Sequence, residues 1–124
     1  MFVFVYGSLK KGFHNNRVLG DAQLVGTGNI DGYDMYSLGG YPGIVVGSGN
    51  VKGEVYEITD KHLPWLDRLE GYSENWKPDD CMYLRQRVTV DMDQPYPDDL
   101  LQAWVYIYNG DVSRRKKIED GVWQ

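Results

Sequence analysis

The sequence predicts an α+β fold: a small barrel or strongly bent sheet carrying one short amphipathic helix. Three observations lead there. Short β-prone runs recur along the chain, and 15 glycines separate them at close intervals. One stretch before Gly71 repeats its leucines at helical rather than alternating spacing. At 124 residues the chain fits one domain, 1–124, with the barrel over about 1–110 and a tail over 111–124.

The elements follow in order. Phe2 to Val5 is an unbroken apolar run, as expected of a buried first strand. Tyr6 to Gly12 reads as a loop, and His14 to Leu19 as one or two helical turns. Gln23 to Ile30 is a strand in which Gly26 and Gly28 mark a bulge or bend. Tyr33 to Leu38 is a separate strand, and Gly39-Gly40-Tyr41-Pro42-Gly43 is a turn. Ile44 to Val46 is a short strand and Gly47-Ser48-Gly49-Asn50 a hairpin turn. Val51 to Ile58 follows, with Val51, Gly53 and Val55 on one face and Lys52, Glu54 and Tyr56 on the other.

The helix comes next. Thr59 or Asp60 supplies its N-cap. Leu63, Leu66 and Leu69, with Trp65 beside them, form its apolar stripe. Pro64 falls in the first turn, where a missing N–H costs nothing, and Gly71 ends the helix as its C′ residue. Glu70 therefore occupies the last helical position, beside a glycine corner. Ser73 to Asp80 is a polar loop. Tyr83 to Met92 alternates, with Tyr83, Arg85, Arg87 and Thr89 on one face and Leu84, Gln86, Val88 and Val90 on the other. Asp93 to Asp99 is an acidic turn, and Leu101 to Tyr108 is the last strand. The tail from Ser113 to Gln124 is expected to form a short helix that docks through Ile118 and Trp123.

Composition excludes several functions. A formal net charge of -5 argues against nucleic acid as a partner, since phosphate contacts need a basic face. Arg114-Arg115-Lys116-Lys117 is a local basic run, but Glu119 and Asp120 follow at once, so it reads as a solvated segment. No apolar run approaches the roughly 18 residues a membrane helix needs, and Phe2–Val5 is too short for a signal core. A cytosolic protein is the expectation. Cys81 is the only cysteine and is expected to be a half-buried thiol. With two histidines beside it, a transition-metal site is not expected.

The residues able to carry chemistry sit in two places. In Tyr6-Gly7-Ser8-Leu9, a glycine directly after a buried strand allows a sharp turn and close backbone approach to a ligand. Successive N–H groups in such a turn form an anion-binding concavity, and Ser8 adds a hydroxyl. An ordinary strand-ending turn is the other reading. Lys10 and Lys11, beside the loop, either steer an anionic substrate or form a solvated pair. Glu70 is a carboxylate at a helix C-terminus, where the dipole opposes its charge and raises its pKa. An acid in that position is a candidate for acid–base work, or else a plain surface acid. Asp67, one turn earlier with Arg68, looks like a solvated face. Tyr83 and Arg85 share a strand face, and Arg85 pairs with a substrate carboxylate, with Glu70, or with a structural partner across the sheet. Tyr106 and Tyr108 read as core or pocket wall.

Taken in order, these pieces resemble the γ-glutamylcyclotransferase-like (AIG2-like) family. The resemblance starts at Val5-Tyr6-Gly7-Ser8-Leu9-Lys10-Lys11-Gly12 with Asn15-Asn16. It continues through Gly32-Tyr33, Tyr41-Pro42-Gly43 and Val51-Lys52-Gly53-Glu54-Val55-Tyr56. It closes with Leu66-Asp67-Arg68-Leu69-Glu70-Gly71-Tyr72, Tyr83-Leu84-Arg85 and Ala103-Trp104-Val105-Tyr106. It implies a small mixed β-barrel with short flanking helices. It implies that Tyr6, Gly7, Ser8 and Leu9 hold a glutamyl moiety through backbone amides, with Tyr83, Arg85 and Tyr106 completing the site. It implies Glu70 as the general acid–base residue and a small-molecule substrate, a γ-glutamyl amine or an ε-linked glutamyl-lysine. The implied reaction is cyclisation to 5-oxoproline with release of the amine, without a metal or organic cofactor. Such a reaction is intramolecular, so a curled substrate supplies much of the rate. The other function compatible with the same residues is a non-catalytic module that keeps the small-acid cradle. The segment from Ser73 to Met82 is longer than the family pattern and is expected to shape the pocket mouth or act as a lid.

Overall fold

Five strands close on themselves through one long antiparallel pairing. In the computed structural model, which describes residues 1–96 and 98–124 (side chains at 95, 96, 98 and 99 excepted), the strands are β1 (Phe2–Val5), β2 (Gln23–Ser37), β3 (Pro42–Glu57), β4 (Tyr83–Tyr96) and β5 (Asp98–Tyr108). Their spatial order is β3-β1-β5-β4-β2, and β2 pairs back onto β3. The β1–β5 pair is parallel and the other pairs are antiparallel, which makes the barrel mixed, as expected. A short β6 (Lys116–Ile118) adds to Met35–Ser37 of β2. One helix, α1 (Leu63–Glu70), and 3₁₀ turns at Asn16–Leu19 and Pro78–Asp80 lie outside it. No helix among the described residues is long and apolar enough to cross a membrane.

Two apolar clusters explain why β1 is apolar throughout. Phe4 faces the barrel interior with Ile30, Val51, Val55, Val90 and Val105. Val3 and Val5 face outward and are covered by Leu19, Ile58 and Leu66. A strand buried on both faces reads as a continuous apolar run. Leu66 of α1 is wholly buried in the outer cluster, so its truncation to alanine costs about 2–5 kcal/mol.

Several local expectations are corrected. The stretch from Gln23 to Ser37 is one strand, bent at bulges between Leu24 and Gly26 and between Asp31 and Tyr33. Gly47-Ser48-Gly49-Asn50 is no hairpin turn, because β3 runs straight through it. Its glycines make room for the Asp34 carboxylate: a Cβ at Gly47 would collide with Asp34 Oδ2. The Gly49 amide instead donates to Asp34 Oδ1 at 2.9 Å. β4 extends through Tyr96, so residues 93–96 continue the strand instead of turning, and Pro97 of that expected acidic turn lies outside the described residues. The tail forms β6 in place of a helix, although Ile118 and Trp123 do pack against the barrel.

The start of α1 also differs. Thr59 and Asp60 do not cap it; His62 stands in the cap position without a side-chain cap bond. The buried His62 ring is used otherwise. Its Nδ1 accepts the Thr59 amide at 2.9 Å, so its Nε2 is free to donate to Asp21, 2.7 Å away. Trp65 departs from the apolar stripe and is exposed, leaving Leu66 to anchor the helix. Gly71 ends α1 as expected, with φ 66° and ψ 44°, the left-handed conformation a C′ glycine adopts cheaply.

Candidate active site

The turn after β1 is held rigidly from below. The Lys10 amide donates to the Gly7 carbonyl at 3.0 Å, and the Asn15 amide to the Ser8 carbonyl at 3.1 Å. The Asn15 side chain donates to Ser8 Oγ at 2.9 Å. That of Asn16 donates to the Leu9 carbonyl at 2.8 Å and to the Tyr56 hydroxyl at 3.0 Å. Pro42, the first residue of β3, lies over Gly7: a Cβ there would come within 2.7 Å of Pro42 Cγ. Glycine is needed for that contact, since Gly7 is absent from the positive-φ glycines.

With its carbonyls engaged, the turn leaves its donors free. The amides of Gly7, Ser8 and Leu9 make no hydrogen bond among the described residues. Buried backbone N–H groups are nearly always paired, so three successive unpaired ones are donors that await an acceptor.

Glu70 closes the other side. It and the Gly7–Leu9 turn line one cavity of about 320 Å³, with Tyr6, Tyr83 and Tyr106 in its wall. That volume is at the lower end of the range for small-molecule sites. The carboxyl forms no hydrogen bond or ion pair among the described residues. The hydroxyls nearby are committed elsewhere: Tyr6 donates to the Tyr106 carbonyl at 2.7 Å, Tyr83 to the Pro42 carbonyl at 2.8 Å and Tyr106 to Asp67 Oδ1 at 2.8 Å. Burial without a partner disfavours the carboxylate and pushes Glu70 from the usual 4.5 up to about 7. The cause is desolvation in the cavity. In return, burial and the Glu70 charge hold the Tyr83 hydroxyl well above its ordinary value.

Not every expected residue reaches the cavity. Tyr6, Gly7, Ser8, Leu9, Glu70, Tyr83 and Tyr106 line it, and Arg85 does not. The Arg85 guanidinium sits between Tyr72 and Trp104, 5.2 and 4.8 Å from the ring centres, with NH1 2.6 Å from Asp67 Oδ2. Its partner is thus neither Glu70 nor a group in the cavity. Asp67 is correspondingly no solvated residue; its side chain is 21% exposed and receives both Arg85 and Tyr106. It lies one turn before Glu70 on the same helix, and that spacing was its signal. Lys10 and Lys11 also miss the cavity. Lys10 Nζ donates to the Trp123 carbonyl at 2.7 Å, and the Lys11 amide donates to Glu54 at 2.8 Å. The segment from Ser73 to Cys81 lies over a separate cavity beside Arg85, and only Met82 reaches the first one. Cys81 is buried, its thiol facing the Ser73 and Lys77 carbonyls. Among the described residues no three His, Cys, Asp or Glu side chains gather as metal ligands.

A closed mixed barrel of five strands with one helix is the fold of cyclotransferase-type, AIG2-like proteins. The family model for "Gamma-glutamyl cyclotransferase, AIG2-like" matches residues 3–124. The chain belongs to that family. It is 41% identical over 123 residues to the γ-glutamylcyclotransferase family protein YtfP of Escherichia coli K12, covering 99% of this chain and 96% of that one. It is 32% identical over 110 residues to the γ-L-glutamyl-butirosin B γ-glutamyl cyclotransferase of Niallia circulans, covering 88% of this chain and 67% of the relative. The crystal structure of an AIG2-like protein from Mus musculus superposes with a TM-score of 0.77 at 28% identity, covering 91% of this chain and 80% of that one.

Proposed function

We propose that the protein cyclises γ-glutamyl amines to 5-oxoproline and releases the amine, with Glu70 as the proton carrier. The observation that carries this reading is the pairing of an unpartnered, half-buried carboxyl with three unpartnered backbone amides in one cavity. The amides suit an α-carboxylate or the oxyanion of a tetrahedral intermediate. The substrate's α-amine attacks its own γ-carbonyl, so positioning supplies much of the acceleration. A carboxyl near 7 is matched to the operating pH: it accepts a proton from the α-ammonium and returns it to the departing nitrogen. Tyr6, Tyr83 and Tyr106 act as walls, since their hydroxyl protons are already engaged. Asp67 acts by holding α1 against β4 through Arg85 and against β5 through the Tyr106 hydroxyl, behind Glu70.

The test is direct. The purified protein is incubated with a panel of γ-glutamyl amines, including ε-(γ-glutamyl)lysine, and 5-oxoproline is identified by mass spectrometry. Product with the wild type and none with Glu70→Gln is expected. Equal product from Glu70→Gln refutes the role of Glu70. Tight binding of 5-oxoproline with no turnover of any substrate identifies a binding module instead.

A further inference from the structure

With the glutamyl half on the Gly7–Leu9 amides, as the cyclotransferase reading requires, the departing amine lies toward the cavity mouth. The lining divides accordingly. Its floor is buried, with Phe4, Val5 and Leu9 at 4% exposure or less. Its mouth carries three large side chains, Tyr41, Leu69 and Met82, exposed by 40%, 40% and 41%, with the exposed His14 beside them. Those three come from separate segments. Leu69 precedes Glu70 at the end of α1. Met82 is fastened to the adjoining corner, its amide donating to the Gly71 carbonyl at 3.0 Å. Tyr41 precedes Pro42, whose ring covers Gly7 on the opposite side of the site. Half-exposed large apolar side chains around one opening are a surface that an apolar ligand group completes.

Charge narrows the choice further. Among the described residues, no lysine or arginine lines the cavity, and Glu70 is its only acid. Lys10, the cation nearest in sequence, is turned to the Trp123 carbonyl. A departing group carrying a carboxylate finds no lysine or arginine there. One carrying a second ammonium finds only the carboxyl that must move protons. Either charge would be partly desolvated without a partner, which is costly.

We propose that the preferred substrates are γ-glutamyl derivatives of primary amines whose remaining group is uncharged and apolar, aromatic or branched aliphatic, seated on Tyr41, Leu69 and Met82. The step balances without water or a co-reactant. The α-nitrogen forms a bond to the γ-carbon, and the bond from the γ-carbon to the amide nitrogen breaks. Two protons leave the α-ammonium and end on the departing nitrogen, so a zwitterion yields 5-oxoproline carboxylate and an alkylammonium.

The test compares γ-glutamyl phenethylamide and γ-glutamyl isobutylamide with γ-glutamylglycine and mono-γ-glutamylputrescine, reading 5-oxoproline release as kcat/KM. The apolar pair is expected to exceed both charged substrates by about tenfold or more, the scale on which an apolar pocket discriminates. The preference is expected to persist in His14→Gln, which removes the exposed histidine that also lines the cavity. In Met82→Glu it is expected to shift toward the putrescine derivative. Turnover of all four with no apolar preference, or a Met82→Glu variant whose preference does not move, overturns this inference and leaves the cyclotransferase reading standing. Turnover of none overturns both.

Discussion

The Tyr106 hydroxyl donates to Asp67 Oδ1 at 2.8 Å, and Asp67 stands one helical turn before Glu70. The same carboxylate receives Arg85 NH1 at 2.6 Å on its other oxygen. Residues three apart on a helix share a face, so this double bond to β4 and β5 sets the rotation of α1 and thereby the direction of Glu70. Arg85 is 12% exposed, and its Nε is buried with no partner. Breaking such a pair from one side leaves a poorly compensated charge. Arg85→Met is therefore expected to destabilise the protein by about 3 kcal/mol in chemical denaturation and to lower kcat/KM. Adding Asp67→Asn, which removes the stranded charge but keeps an acceptor for Tyr106, is expected to recover part of that stability. A double variant no more stable than Arg85→Met would show that the pair is not what holds the helix.

The pH dependence of activity follows from Glu70. Burial places its proton affinity at about 7, and only the ionised carboxylate accepts a proton from the substrate. Activity is thus expected to rise with pH and to reach half of its acidic-limb plateau near 7, well above the value for an ordinary glutamate. In kcat/KM profiles this limb belongs to the free enzyme. A half-rise at 4.5, the ordinary value, would mean that the carboxyl is solvated and the cavity open around it.

Parts of this site were legible in the sequence because local chemistry declares them. Gly71 marks the end of a helix by itself, and that end is where Glu70 stands. Tyr6 to Leu9 follow an apolar run that admits only a strand, so a turn had to come next. Asp67 and Gly47 were misread for a common reason. Each is explained by residues on other elements of the fold: Asp67 by Arg85 and Tyr106, Gly47 by Asp34. A glycine that clears a carboxylate on the neighbouring strand looks, in sequence, like a glycine in a turn. The same blindness left Arg85 divided between a substrate carboxylate, Glu70 and a structural partner, because its strand face was evident and its partner was not.

Stability should depend on pH in the opposite sense from activity. The folded protein holds the Glu70 proton up to about 7, while the unfolded chain releases it near 4.5. Between those values the native state binds more protons, so stability falls as pH rises across that window and stays lower above it. The ceiling is about 3 kcal/mol, reduced by solvent entering through the open mouth. Glu70→Gln carries no such burden. It is expected to melt several degrees higher than the wild type at pH 8 and at the same temperature at pH 4. A variant that is less stable at both values would point to lost hydrogen bonds at Glu70.

Gly7→Ala tests the turn itself. The added methyl would stand 2.7 Å from Pro42 Cγ and 2.8 Å from its Cδ, contacts that no bound conformation tolerates. Neither partner yields easily. Pro42 is a ring in β3 whose carbonyl accepts the Tyr83 hydroxyl at 2.8 Å, and the turn is tied below by Asn15 and Asn16. The clash must therefore move the Gly7–Leu9 amides away from the cavity or open the Pro42–Tyr83 contact. The cost is expected to be about 2 kcal/mol, typical of overpacking, with a far larger relative loss in ligand affinity. Calorimetric titration with 5-oxoproline separates the two effects, since a properly folded variant with weakened binding locates the damage in the amides. Unchanged affinity in a stable Gly7→Ala variant would show that the ligand does not sit on this turn.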